Sequence, residues 1–216
     1  MLAFIGGTGP EGIGLAIRFA IAGHELIIGS RSVERAEEAA AKVREKATAA
    51  LVSGLLNEDA AAKGDIVINT VPYSAQADLL PGLRQMIADK LVISTVVPLQ
   101  FEKGVSAIVV PEGSAAQQAQ ALLPEATVVG ALQTLSAINL NDPSHPMESD
   151  VLVTGDDAEA RKRVIELVEQ IEGLRGVDAG RLANSQYVEH ITALLIGINR
   201  RYKAHAEFKV VGLPGD

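Results

Sequence analysis

The stretch FIGGTGPEGIGLAIRFAIAGHELIIGSRSVER, residues 4–35, joins a short apolar run, a glycine-rich turn, a helix-spaced segment and a second apolar run. Gly7, Gly9 and Gly12 stand in the G-x-G-x-x-G spacing. Each glycine there has a mechanical reason: a tight turn, close approach of backbone to a pyrophosphate, and close packing of helix on strand. The start of the helix then offers free N–H groups and the positive end of a dipole to phosphates. Thr8 adds a hydroxyl inside the turn. Glycine also serves turns that bind nothing, so the triplet gains its meaning from order: strand, loop, helix and second strand arrive within about 30 residues. That order predicts a dinucleotide site.

A site that selects NAD presents a carboxylate at the end of the second strand, where it meets the ribose hydroxyls. Here the chain reads Gly29-Ser30-Arg31, with Arg35 one helical turn beyond Arg31. A 2′-phosphate carries nearly two negative charges, and a planar guanidinium meets it with paired, charge-assisted donors. Ser30, Arg31 and Arg35 therefore favour NADP(H) over NAD(H). The alternative is that the serines only cap the next helix and the arginines are solvated. Ser32 is a plausible N-cap under either reading.

The remaining chain continues the alternation. Apolar runs at residues 65–70, 91–94, 127–131, 150–153 and 174–177 read as strands, and residues 32–46, 75–88, 114–123, 159–171 and 184–203 as helices. Strands alternating with helices imply crossover connections, hence an α/β, Rossmann-like, mostly parallel sheet with helices on both faces and a smaller C-terminal helical extension. Residues 139–149, polar and proline-containing, suggest a boundary between a dinucleotide-binding domain, 1–140, and a smaller C-terminal domain, 141–216.

Bulk properties narrow the function. A chain of 216 residues buries a sizeable core, and the absence of cysteine excludes disulfides and thiolate chemistry. A net charge of −8 argues against nucleic acid or an anionic membrane as partner, and 3% aromatic residues weaken any stacking platform. No apolar run reaches the roughly 18 residues of a membrane span, and no signal peptide is evident, so the cytoplasm is the expected compartment.

The whole chain also resembles a known family, the NADPH-dependent reductases of coenzyme F420, a deazaflavin. The resemblance rests on IGGTG, GHELIIGSR, NEDAA, VVP, GAL with a threonine two residues on, GDD, GLR, and DAG followed by NS. It implies that Thr8, Gly9, Pro10 and Glu11 line the pyrophosphate and that Ser30, Arg31 and Arg35 take the 2′-phosphate. It further implies that Tyr73, Ala77, Leu99 and Ala137 border the adenine-ribose or nicotinamide end, and that Phe208 lies near the deazaflavin. Val97 and Pro98 belong to the VVP turn after a strand, where open α/β sheets bind ligands. Archaeal members carry a tryptophan where Tyr73 stands and a histidine where Gln133 stands.

The expected activity is hydride transfer between NADP(H) and F420. It needs two rings face to face and no obligatory acid or base, so a wall of Val97, Pro98, Leu99 and Ala137 suits it without any catalytic side chain. Two other readings keep the fold: an NADPH-dependent imine or carbonyl reductase using Gln133, Asn139 or His190, and a non-catalytic NADPH-binding redox sensor. The four histidines have no metal-ligand spacing, and Asp156-Asp157 reads as a helix start. Arg200, Arg201 and Lys203 complement a helix end or meet the anionic deazaflavin tail. The apolar middle of the last helix, residues 191–198, is read as core or as the seam of a homodimer.

Overall fold

The computed structural model describes residues 1–102 and 104–213. Its centre is an eight-stranded sheet in the order β10-β9-β8-β5-β4-β1-β2-β3. These strands are β1 (Leu2–Ile5), β2 (Leu26–Ser30), β3 (Val52–Leu56), β4 (Ile66–Asn69), β5 (Leu91–Ser94), β8 (Thr127–Gly130), β9 (Ser149–Gly155) and β10 (Leu174–Asp178). Strands β6 (Leu99–Gln100) and β7 (Ser106–Ala107) form a separate two-stranded hairpin. All neighbours in the large sheet run parallel except β8 and β9.

The helices are α1 (Pro10–Ile21), α2 (Val33–Lys46), α3 (Asn57–Lys63), α4 (Tyr73–Ile87), α5 (Ala115–Leu122), α6 (Ala137–Asn141), α7 (Ala158–Val168) and α8 (Ser185–Tyr202). The strands read as unbroken apolar runs because both faces are covered. Phe4, Ile28, Ile68, Ile93 and Val129 pack on one face with residues of α1, α2 and α7. Their neighbours Ala3, Ile5, Ile27, Val67, Val92 and Val128 pack on the other with residues of α3, α4 and α5. The period-2 pleat thus sorts one apolar run into two cores.

Several elements differ from the sequence expectation. Helix α1 starts at Pro10, inside the glycine-rich turn: Pro at the first position is preorganised, and Gly12 and Gly14 obscure the helical periodicity of the first turn. A Cβ on Gly14 would come within 2.6 Å of the Leu140 Cβ, so this glycine serves the packing of α1 against α6. Strand β3 and helix α3 have no counterpart in the periodicity reading. β3 is an edge strand interrupted by Gly54, where any Cβ would collide with the backbone of Ala36 and Glu37. The expected 139–149 loop begins with the end of α6, which buried Arg18 holds by donating to the carbonyls of Leu140 (3.1 Å), Asn139 (2.6 Å), Asp142 (2.5 Å) and His145 (3.0 Å). Residues on both sides of position 140 share one sheet, which β9 and β10 extend beyond β8.

From β1 the chain moves outward through β2 to β3, then returns to β4 on the other side of β1 and moves away through β5 and β8. The connections leaving β1 and β4 therefore diverge, opening a crevice at their carboxyl ends, the position where doubly wound sheets bind ligands.

Candidate active site at the strand switch

The turn after β1 is built by four glycines with separate duties. Gly6 adopts the left-handed conformation (φ +67°), and a Cβ there would lie 2.7 Å from Val71 Cγ1. Its N–H donates to Asn57 Oδ1 at 3.0 Å, while the Gly7 N–H donates to the Gly29 carbonyl at 3.0 Å. Gly12 packs on Gly7, where an added Cβ would stand 2.8 Å from the Gly7 Cα. Gly9 is different. Its φ is −79° and an added Cβ would meet no protein atom within 4 Å. Neither conformation nor packing demands glycine at this position, which leaves close approach of a ligand as the physical reason. Gly9 is also the N-cap of α1 and supplies no side-chain cap, so the first N–H groups of that helix point at open space.

Two clefts meet at Gly9 and share Thr70, Val71 and Pro72. The first, of about 610 Å³, is lined by Thr8, Ser30, Arg31 and Arg35, with Asn57 and Asp78. Ser30 is buried at the end of β2, whereas Arg31 and Arg35 are exposed. Neither guanidinium takes part in an ion pair among the described residues. Ser32 caps α2, accepting from the Arg35 N–H at 3.4 Å, and its own hydroxyl donates to Glu34, whose carboxyl is held below the ordinary range by that bond. A cationic edge without carboxylate partners can take a dianion.

The second cleft, of about 490 Å³, lies beyond Gly9 and is bounded by Pro10, Glu11, Gly12, Tyr73, Val97, Leu99 and Ala137. Helix α8 supplies Thr192, Leu195, Ile196 and Asn199 to its wall, and the chain after α8 supplies Ala206. The Ser136 N–H donates to Glu207 Oε1 (2.9 Å) and Asn139 Nδ2 to the His205 carbonyl (3.1 Å), so the C-terminal segment anchors the wall around Ala137. Burial pushes the Glu207 carboxyl upward. Of the expected site residues, Pro98 and Gly7 are buried and line neither cleft, Gly7 lying against Phe4 and Ile28. Ala77 is exposed on α4 and borders neither cleft. Phe208 also borders neither; its carbonyl is tied to the start of β9, accepting from the Asp150 N–H at 2.8 Å and the Ser149 hydroxyl at 3.1 Å.

Folding gives several residues contacts that sequence reasoning did not foresee. Asn57, inside the NEDAA stretch, reaches across to fix the glycine turn. Gln133 is buried in the ring-side cleft with both amide atoms unpartnered among the described residues. Glu11 has its carboxyl buried in the same cleft, pushed up to about 8 by burial, with the Thr95 hydroxyl drawing it part-way back. Glu189 on α8 is buried and accepts from the Ala115 and Ala116 N–H groups at 2.9 and 3.1 Å, clamping α8 to the start of α5; burial raises it to about 7. Spacing alone could not reveal these roles, since each depends on contacts across the fold. His190 is exposed and borders neither cleft, and no cluster of His, Asp or Glu suited to a metal occurs among the described residues.

Comparison with known proteins agrees with this geometry. The family profile described as NADP oxidoreductase, coenzyme F420-dependent, matches residues 1–98. The F420-dependent NADP reductase of Methanocaldococcus jannaschii is 42% identical over 210 residues, covering 94% of each chain. The chain belongs to the coenzyme F420-dependent NADP oxidoreductase family. The F420-dependent NADP reductase of Methanothermobacter thermautotrophicus is likewise 42% identical, over 99% of this chain and 95% of that one. A crystal structure of a candidate F420-dependent NADP reductase from Arthrobacter sp. FB24 superposes with a TM-score of 0.84 at 26% identity, covering 98% of this chain and 99% of the other. In this family member, a cleft edged by Arg31 and Arg35 adjoins a second, largely apolar one.

Proposed function

We propose that this family member transfers a hydride between NADP(H) and coenzyme F420 across the cleft beyond Gly9. The observation that carries the reading is the junction at Gly9. On one side stand guanidiniums that form no ion pair among the described residues, and on the other a wall of small and apolar side chains. A dinucleotide long enough to pass over Gly9 puts its 2′-phosphate against Ser30, Arg31 and Arg35. Its pyrophosphate lies on Thr8, Gly9, Pro10 and the first N–H groups of α1, and its nicotinamide enters the second cleft. When bound, the two rings supply the hydride donor carbon and acceptor carbon. Tyr73, Val97, Leu99 and Ala137 hold them in contact and keep water away, and Gln133 offers a carboxamide to their polar edges. No general acid or base is required of the protein for this step.

Residues 1–140 then act as the dinucleotide unit and residues 141–216 as the part that completes the deazaflavin end, chiefly through α8. One face of α8 borders the cleft. Another carries Tyr187, Ile191, Leu194 and Ile198 at helical spacing, with Tyr187 61% and Leu194 63% exposed. An apolar stripe of this kind supports a homodimer formed through α8. Sedimentation at micromolar concentration checks it, and a Leu194→Glu variant should run as monomer. A cytoplasmic setting, where NADPH and a soluble deazaflavin meet, belongs to the same reading. No helix among the described residues is long and apolar enough to cross a membrane.

The direct test is to mix purified protein with NADPH and oxidised F420 and follow deazaflavin absorbance. Loss of the oxidised band, with NADH far slower, is expected. An unchanged spectrum defeats the reading.

A further inference from the structure

The cleft beyond Gly9 holds one carboxyl group that hydride transfer itself does not use. Glu11 is the second residue of α1, and its Oε1 is buried with no hydrogen-bond partner among the described residues. Gln133, 3% exposed, borders the same cleft with both amide atoms equally unpartnered. Buried polar groups without partners cost about 1–3 kcal/mol each and are uncommon in native folds. Both of these border space that a ligand would fill.

The electrical surroundings of Glu11 are sparse. Apart from it, the only titratable side chain bordering the cleft among the described residues is Tyr73 on α4. The strand-end residues Thr95 and Val96, the 133–138 segment, and the α8 residues Thr192, Leu195, Ile196 and Asn199 carry no charge. Among the described residues, no cation borders the cleft to neutralise a carboxylate here; the partial positive end of α1 favours one. Burial holds the group largely neutral at neutral pH.

The inference rests on the hydride-transfer reading, which brings the nicotinamide into this cleft. That ring is positively charged when oxidised and uncharged when reduced. In a poorly solvated site, a full charge beside a carboxyl changes the energy of ionisation much more than it would in water. We propose that Glu11 is the charge partner of the nicotinamide ring, neutral beside NADPH and ionised beside NADP+, so that binding NADP+ releases a proton that binding NADPH does not. The proton leaves the Glu11 carboxyl for solvent, and the carboxylate that remains is paired with the pyridinium. By linkage, NADP+ affinity climbs with pH while NADPH affinity stays level. Glu11 acts here as a positioning and selectivity residue for the oxidation state of the nucleotide, without a part in the bond changes.

Calorimetric titration of the full-length protein with NADP+ and with NADPH, each in buffers of different ionisation enthalpy at pH 7, counts the protons. The 2′-phosphate is common to both ligands and cancels in the difference. NADP+ should release close to one proton more than NADPH, and the ratio of the two affinities should move in favour of NADP+ by up to ~10-fold per pH unit below pH 8. In Glu11→Gln both nucleotides should still bind, the proton difference should vanish, and the affinity ratio should become flat with pH. Equal proton release in the unaltered protein, or an undiminished difference in Glu11→Gln, overturns the proposal. If both nucleotides bind and NADPH reduces F420 while the proton counts are equal, the Glu11 inference falls and hydride transfer stands. If neither nucleotide binds, both fall together.

Discussion

Gly12 lies so close to Gly7 that a Cβ on Gly12 would stand 2.8 Å from both the Cα and the carbonyl oxygen of Gly7, whereas Gly9, between them in sequence, has open space around it. Residues of one motif are thus glycine for opposite reasons. Gly12→Ala should destabilise the fold by about 1–3 kcal/mol, the usual range for overpacking. Gly9→Ala should leave the melting temperature nearly unchanged and weaken NADPH binding severely, because the added methyl occupies the ligand's space. Thermal melts paired with nucleotide titrations separate the two, and equal behaviour of both variants would refute the division.

Arg31 and Arg35 border the first cleft and form no ion pair among the described residues. Removing one charge-assisted contact to a phosphate costs about 1.5–3 kcal/mol, or roughly 10- to 100-fold in affinity. Arg31→Ala should lose that factor for NADPH and almost nothing for NADH. Dissociation constants for both nucleotides decide the matter, and a parallel loss for the two would mean that Arg31 does not read the extra phosphate.

Asn57 ties the end of β3 to the glycine turn through the Gly6 N–H at 3.0 Å. Asn57→Ala strands that donor, which should lower stability by about 1–3 kcal/mol and loosen the turn that presents Gly9. NADPH affinity should fall together with the melting temperature. A variant as stable as the parent, with intact binding, would show the bond to be dispensable.

Glu11 also predicts how stability depends on pH. Its folded-state value of about 8 lies above the ordinary 4.5, so between these limits the folded form binds more protons than the unfolded form. Stability is then lost as pH rises through that window, because the unfolded chain ionises freely while the buried carboxyl resists. Glu11→Gln removes this loss. Relative to the parent, the variant should gain nothing extra on going below pH 4.5 and should gain progressively up to pH 8, by a few kcal/mol in all. Denaturant titrations at pH 5 and pH 8 measure the difference, and a gap that is constant with pH would contradict the assignment.

Much of this molecule could be read from order and spacing. Alternating apolar runs announced a parallel sheet, since strands covered on both faces need no polar alternation, and the G-x-G-x-x-G turn and Arg31 were legible as parts of one cleft, which Thr8, Gly9, Ser30, Arg31 and Arg35 line. The edge strand β3 escaped because Gly54 and exposed Ser53 break its pattern, and α3 escaped because seven residues make less than two full turns. The reversal of β9 against β8 leaves no mark in composition, as each strand offers the same apolar centre, Val128 and Val129 in β8 and Val151 to Val153 in β9. Glu11 and Gln133 stand in plain view in the sequence, but what distinguishes them is the lack of partners once the chain is folded. Phe208 is the converse case: family likeness places it near the deazaflavin, nothing in its own spacing does, and in the fold its carbonyl is fastened to the start of β9.

The hydride itself can be traced. Protein supplied with oxidised F420 in ordinary water, and with NADPH carrying deuterium at either C4 position, should give reduced deazaflavin with one deuterium from one epimer and none from the other. Mass spectrometry of the product reads this directly. Reduced deazaflavin free of deuterium from both epimers, or no reduced deazaflavin at all, would contradict direct transfer between rings held face to face beyond Gly9.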